Sequence, residues 1–269
     1  MSMSTCTLVT AFYNFSHKKH SNNNYATWIK NFLENTNAFM VIYTDSNETA
    51  QFLAQYRKNF VEKTKIIVED VKHLYCHQYY DYWTKDLQRD HEKSYHNQEL
   101  YIIWNEKTMF MYKAYILNYF KTDFYAWVDI GMVREQRYLE LLESFPSPNR
   151  LASLKKDKAY ILLIQAFTHE EINVQTPSEI FRYKDRIGGG MILCHQDVIE
   201  KWTSEYYKMM RSFMEADMFA GKDQSIMANL FVKYKSDLIE IVIPKPIDFT
   251  VMDNVWFHML YFLSDKYIR

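Results

Sequence analysis

Phe124-Tyr125-Ala126-Trp127-Val128-Asp129-Ile130-Gly131 is an unbroken apolar run that closes on an acid and a glycine. Apolar side chains without polar alternation predict a strand covered on both faces, the pattern of a parallel sheet flanked by helices. In open α/β sheets ligands sit outside the carboxyl ends of the strands. Asp129 is therefore expected at a sheet edge, with its backbone buried and its carboxylate emerging.

The same pattern recurs on either side of this run. Thr7-Leu8-Val9-Thr10-Ala11-Phe12, Ala38-Phe39-Met40-Val41-Ile42-Tyr43 and Lys65-Ile66-Ile67-Val68 predict strands upstream. Tyr160-Ile161-Leu162-Leu163-Ile164, Met191-Ile192-Leu193 and the run 238–243 predict strands downstream. Helical spacing covers 25–34, where Trp28, Ile29, Phe32 and Leu33 share one side, and 48–58. Residues 77–120 read as mainly helical, and 197–215 and 223–233 as helices. Strands alternating with helices indicate an α/β fold with a mostly parallel sheet. No repeat, low-complexity tract or linker interrupts the chain, and the Pro146/Pro148 turn is too brief to divide it. One domain over 1–269 is expected.

With 48% hydrophobic and 24% charged residues, the 269-residue chain has the balance of a globular protein. A net charge of −1 gives no electrostatic case for nucleic acid or an anionic membrane. Cys6, Cys76 and Cys194, odd in number and without paired spacing, argue against a disulfide framework and fit a reducing compartment. No apolar run reaches the ~18 residues of a membrane span, and no leader pattern opens the chain. The greasy stretch 255–263 is expected to pack on the core. A cytoplasmic location follows as the expectation. The 22 Tyr and 18 Phe read as core and surface rings, with a stacking surface for carbohydrate or nucleobase as the second reading.

All five glycines fall in three places: Gly131, Gly188-Gly189-Gly190 and Gly221. Glycine is required where φ is positive or where another group must approach the backbone closely. Three in a row cost considerable entropy to order, so the triplet is expected to form a loop that passes tightly under a ligand before the strand at Met191. Asp45 ends the second strand as Asp129 ends the fourth. The polar loop 14–24, with His17, Lys18, Lys19 and His20, follows the first. Asp223-Gln224 reads as a helix start, where Asp is also an ordinary cap. His258, inside an apolar run, is a core histidine or a metal ligand. The charge cluster 85–93 reads as a solvated face.

As a set, strand-Trp-Val-Asp-x-Gly, a glycine-rich segment entering a strand, and Asp-Gln at a helix start resemble the nucleotide-sugar glycosyltransferases of the GT-A fold. More narrowly, four segments resemble the HtrL/YibB (WlaTC-type) family, over about residues 6 to 235. They are Leu8-Val9-Thr10-Ala11-Phe12-Tyr13, Trp104-Asn105-Glu106-Lys107, the run from Tyr125 to Arg134, and Gly188-Gly189-Gly190-Met191. That family is known as glycosyltransferases mainly by similarity.

The resemblance implies a single GT-A-like (Rossmann-like) sheet flanked by helices, with nucleotide binding in about 1–135 and acceptor and catalytic functions in about 136–269. It implies a nucleotide-sugar donor, UDP- or GDP-linked, and a glycan or glycoconjugate acceptor in glycan biosynthesis. Ala11, Phe12, Tyr13, Thr44 and Asp45 would lie near the nucleoside. Asp129 matches the first acid of the Asp-x-Asp metal motif, whereas Gly131 stands in place of the second. Mn²⁺ or Mg²⁺ would then be held by Asp129, the diphosphate, water and His258. Lys107 would neutralise the leaving diphosphate, and Gly188, Gly189 and Gly190 would frame sugar and acceptor.

Asp223 would act as general base in an inverting reaction. In a retaining one, Asp223 or Gln224 would stabilise the oxocarbenium-like centre. A nucleotidyltransferase would show a glycine-rich basic loop after the first strand, and 14–24 contains no glycine. A non-catalytic carbohydrate-binding protein on the same fold would have lost the acids, yet Asp129 and Asp223 remain.

Overall fold

The computed structural model describes residues 5–15 and 22–267. The loop positions His17, Lys18, Lys19 and His20 lie outside the described residues.

Seven strands share one sheet: β1 (Cys6–Phe12), β2 (Phe39–Thr44), β3 (Thr64–Val68), β4 (Phe124–Val128), β5 (Ala159–Leu163), β6 (Ile187–His195) and β7 (Ile239–Val242). Their order is β3-β2-β1-β4-β6-β5-β7. Every neighbouring pair is parallel except those made by β6, which runs against both β4 and β5. The helices are α1 (Asn22–Asn35), α2 (Asn47–Ala54), α3 (Tyr80–Gln88), α4 (Gln98–Leu117), α5 (Pro148–Ala152), α6 (His169–Ile172), α7 (Ile199–Glu215), α8 (Asp223–Tyr234) and α9 (His258–Phe262). This is the mostly parallel α/β sheet, flanked by helices, expected from the strand pattern.

Neighbouring strand residues face opposite ways, and here both faces are covered. Val9, Val41, Tyr125, Trp127 and Ile192 pack with Tyr101, Phe110 and Met111 of α4 and with Trp202 and Tyr206 of α7. Leu8, Met40, Phe124, Ala126 and Leu193 pack on Ile29, Phe32 and Leu33 of α1 and on the α9 side chains. Burial on two sides is why these strands lack polar alternation. From Phe257 to Leu263 the apolar side chains of the 255–263 stretch pack in the second layer, while Trp256 is exposed, and all three cysteines are buried and unbridged. No helix of the described residues is long and apolar enough to cross a membrane.

Two expectations need correction. The glycine triplet is not a loop before a strand: β6 begins at Ile187, so all three glycines lie within it. Leu162 pairs with Gly188 just after the register slips between Ile161 and Leu162, and strand glycine characteristically marks such a bulge or a close approach. No described glycine has positive φ; Asn118, Lys121, Asp217 and Lys235 do. Close approach is therefore the reason for these glycines. Nor is 85–93 simply a solvated face, because Asp86 and Asp90 are buried. Asp86 accepts from Arg89 and from the Ala220 N–H (2.8 Å), and Arg89 reaches the Asp217 carbonyl (2.7 Å). These bonds tie the end of α3 to the loop that precedes α8.

Candidate active site

Asp129 lies one residue beyond β4, and its N–H donates to the Gly190 carbonyl at 2.8 Å, extending the β4–β6 ladder. The indole Nε1 of Trp127 donates to Asp129 Oδ1 at 2.7 Å, fixing the carboxylate at the sheet's carboxyl edge. From above, α4 presents Leu100, Ile103, Trp104 and Lys107 to the same space, the i, i+3, i+4, i+7 stripe of one helix face. Asn97 starts this helix, its side chain accepting the Leu100 N–H at 2.8 Å.

Lys107 is buried, and three acceptors surround its Nζ. They are the Gly189 carbonyl at 2.8 Å, Asp223 Oδ2 at 3.0 Å and Asp129 Oδ1 at 3.2 Å. The contact with the Gly189 carbonyl is a hydrogen bond, and those with the two carboxylates are ion pairs. Burial alone would lower the Lys107 pKa, but Asp129 and Asp223 outweigh it and hold the amine above its ordinary value. Burial is also the largest influence on Asp223, and it lifts that carboxyl above the usual carboxylate range against the pull of Lys107. The side chain of Asp129 is 45% exposed and that of Asp223 only 6%.

Asp223 opens α8 as its first helical residue rather than as its cap. Its Oδ1 accepts only the adjacent Gln224 N–H, at 2.9 Å. Gln224 in turn donates from Nε2 to the Ile187 carbonyl at 2.7 Å, locking α8 against the start of β6. The expected helix-end position is confirmed, whereas the capping role is not.

These groups line a cleft of about 650 Å³. Ala11, Phe12, Tyr13 and Phe15 form one end, beyond β1. Tyr95, His96, Leu100 and Trp104 form another, and Tyr25, Met132, Arg134, Trp256 and Phe257 the facing wall. Of the positions named from sequence, Ala11, Phe12, Tyr13, Lys107, Asp129, Gly131, Gly189, Gly190, Asp223 and Gln224 come together here. Residues from both parts of the chain line it, so the proposed division near 135 does not separate two surfaces.

Four named positions do not line the cleft. Thr44 donates to the Phe12 carbonyl (2.8 Å) and Asp45 Oδ2 accepts the Asn14 N–H (3.0 Å), so both brace the turn after β1 from behind. Gly188 faces Leu162 and Ile164. His258 is fully buried, 3.4 Å from Asp248 Oδ2 and against Phe249 and Tyr261. The pairing of His258 with Asp129 around one metal is therefore corrected: an apolar run carried the histidine into the core. The sequence reading also passed over His96, Asp90, Tyr95 and Trp256, because charges and rings spaced along a chain do not reveal a shared wall.

A family model described as "Bacterial protein of unknown function (HtrL_YibB)" matches residues 4–250. The chain belongs to the HtrL_YibB family. No curated protein matches it. Among solved structures, this HtrL_YibB chain is similar to the galactosyltransferase LgtC in complex with donor and acceptor sugar analogues. The two are 13% identical with a TM-score of 0.48, and the match covers 98% of this chain and 84% of that one.

The HtrL_YibB site carries more negative than positive charge at its centre, since one lysine serves two carboxylates. Lys107 lines the cleft, as its expected role beside the diphosphate requires, and it is also paired with both acids. Arg134, at the rim, lies over the Trp28 and Phe257 rings at 4.4 and 5.2 Å. No group of three or more His, Cys, Asp or Glu among the described residues is arranged to hold a metal. Asp129 Oδ2, which faces Gly190, is the carboxylate oxygen left to anchor a cation. One carboxylate suits a hard dication that takes its remaining ligands from phosphates and water.

Proposed function

We propose that the protein is a glycosyltransferase that moves a sugar from a UDP- or GDP-linked donor to a hydroxyl of a glycan or glycoconjugate. The observation that carries this reading is the Lys107-bridged pair of Asp129 and Asp223 in a cleft at the carboxyl edge of the sheet. One acid is half-exposed beside the rim arginine, and the other is buried with a raised pKa. Two acids in unlike surroundings suit two roles: one directed at the charged part of a donor, the other at the reacting carbon.

The nucleoside would rest against Phe12, which packs on Tyr25, and against Tyr13 and Phe15, whose rings continue into the stack of Tyr13 on Phe110. The diphosphate would lie toward Asp129 and Arg134. Mn²⁺ or Mg²⁺, arriving with it and held by Asp129, would neutralise the leaving group. The sugar would lie beside Gly189 and Gly190, against which Asp223 and Met132 pack. Asp223, at the start of α8, would face the anomeric carbon. In an inverting reaction it accepts the acceptor's hydroxyl proton as the new glycosidic bond forms and the diphosphate leaves with the old bond's electrons. In a retaining reaction the fixed carboxylate and Gln224 stabilise the developing positive charge.

Calorimetry with a panel of UDP- and GDP-sugars, with and without Mn²⁺, tests the reading alongside a nucleoside-diphosphate release assay. Binding of one donor and release of its diphosphate are expected. Failure of every donor to bind would remove the proposal.

A further inference from the structure

Beside Trp104, on the wall of the cleft that α4 raises above the sheet, stands a polar device that the bridged acids do not explain. Asp90 is buried, and its Oδ2 accepts from Tyr101 OH (2.5 Å) and pairs with His96 Nδ1 (2.7 Å). Burial alone would raise the Asp90 carboxyl, yet the bonds from His96, Tyr101 and the Glu92 N–H hold it well below the usual range. With Nδ1 on this carboxylate, Nε2 is the ring nitrogen left over, and no group among the described residues takes it. The His96 ring lines the cleft and meets Trp104 edge to face at 4.9 Å and 82°. Trp104 is half-buried, lines the same space, and its Nε1 has no partner among the described residues.

We infer that His96 and Trp104 form the acceptor-sugar subsite, binding a pyranose with its C–H face on the indole and a hydroxyl on His96 Nε2. This rests on the glycosyltransferase reading and adds to it where the acceptor lies. Three observations support it. First, the position suits an acceptor: the His96 ring meets Trp104 one turn of α4 before Lys107, while Tyr13 stacks on Phe110 one turn after it. Second, an aromatic face beside a fixed hydrogen-bonding group is the pairing that gives a pocket both apolar area and orientation. Third, the segment is rigidly tied to the loop leading into Asp223. Lys222 pairs with Glu92 at 2.6 Å, and Tyr101 packs edge-on to Phe219. A sugar held here is thereby held in register with Asp223. A structural anchor alone would not leave Nε2 and the indole N–H both unpartnered at a cleft wall.

Saturation-transfer NMR tests this with the methyl glycosides of glucose, galactose and N-acetylglucosamine, in the presence of equimolar UDP and GDP. Wild-type protein is expected to transfer saturation to at least one glycoside. Trp104→Ala and His96→Gln should each weaken that glycoside about tenfold or more, Trp104→Phe should retain part of it, and melting curves must show each variant folded. No transfer to any glycoside in the wild type, or equal transfer in folded Trp104→Ala, overturns the inference. If a glycoside binds at Trp104 while neither nucleotide nor any nucleotide sugar binds, the subsite stands and the transferase reading falls.

Discussion

Gly189 and Asp223 are in contact because residue 189 has no side chain. A Cβ at that position would lie 2.7 Å from Asp223 Oδ2 and 3.1 Å from Oδ1. The carboxylate is pinned by Lys107 and by the Gln224 N–H, so it cannot yield cheaply. Gly189→Ala should therefore displace Asp223, lowering turnover at least about tenfold and stability by roughly 1–3 kcal/mol. At Gly188 the added Cβ would meet the Cδ1 end of Ile164 at 3.1 Å, which can rotate away. Gly188→Ala should stay close to wild type in both readouts. Equal damage from the two substitutions would mean that strand pairing, not the approach of Asp223, explains the glycines.

Lys107 stands between two acids, so its removal exposes their repulsion. Lys107→Met keeps the stem and deletes the charge. Breaking a buried pair in this way costs about 3–5 kcal/mol, and a melting-temperature drop on the order of 10 °C is expected. Adding Asp223→Asn should recover part of that loss, because one of the stranded carboxylates becomes neutral. Strictly additive losses in a double-mutant cycle would show that the pair is not coupled.

Asp223→Asn by itself separates chemistry from architecture. Asn can still accept the Gln224 N–H, and Lys107 keeps Asp129 and the Gly189 carbonyl. Donor affinity should change little, while turnover falls by ~10²-fold or more if the carboxylate is base or charge stabiliser. A variant that transfers sugar at the parent rate would leave Asp223 only a structural part of the lysine cage.

The sheet's carboxyl edge was legible in the sequence because β4 and β1 are uninterrupted apolar runs closed by polar residues. Asp129 could be placed from that alone, whereas Asp223 was placed as a helix start and reached the site only through the family resemblance. The direction of β6 could not, since strand orientation has no local signature. Its first residues were hidden too: glycine lacks the side chain whose alternation marks a strand. The same limit explains His258, which sits in the layer under α9 rather than over the cleft. Lys107 lines the cleft, but its ion pairs with two acids distant in sequence could not be seen. Asp90 and His96 escaped notice because a charged segment looks the same whether it meets water or, as at Glu92 and Lys222, a partner 130 residues away.

Acid should loosen the approach to β6. Glu171 is buried, accepts the Thr168 N–H at 2.9 Å, and lies 2.7 Å from Lys184 Nζ and 3.0 Å from Arg186 Nε. Burial alone would raise its carboxyl, but Lys184, Thr168 and Arg186 bring it down to about 2 from 4.5. A depressed folded value gives stability that is present above the unfolded pKa and lost as pH falls from about 4.5 toward about 2, here on the order of 1–2 kcal/mol. Melting curves at pH 6 and pH 3 should therefore diverge more for the wild type than for Glu171→Gln. Identical slopes would assign acid lability to other carboxylates.

A divalent cation should strengthen nucleotide binding through Asp129 and not through His258. The bridged cluster has a net negative charge, and the rim supplies Arg134, so a diphosphate needs added positive charge near Asp129. UDP or GDP, whichever binds, should bind about tenfold or more tightly in Mn²⁺ or Mg²⁺ than in chelator. Asp129→Asn should erase that difference. His258→Gln should preserve it while lowering the melting temperature, because buried Asp248 loses its neighbour at 3.4 Å. Should His258→Gln abolish the metal effect while Asp129→Asn keeps it, the cation would be held near the C-terminal segment, and the placement of His258 in the core would have to be revised.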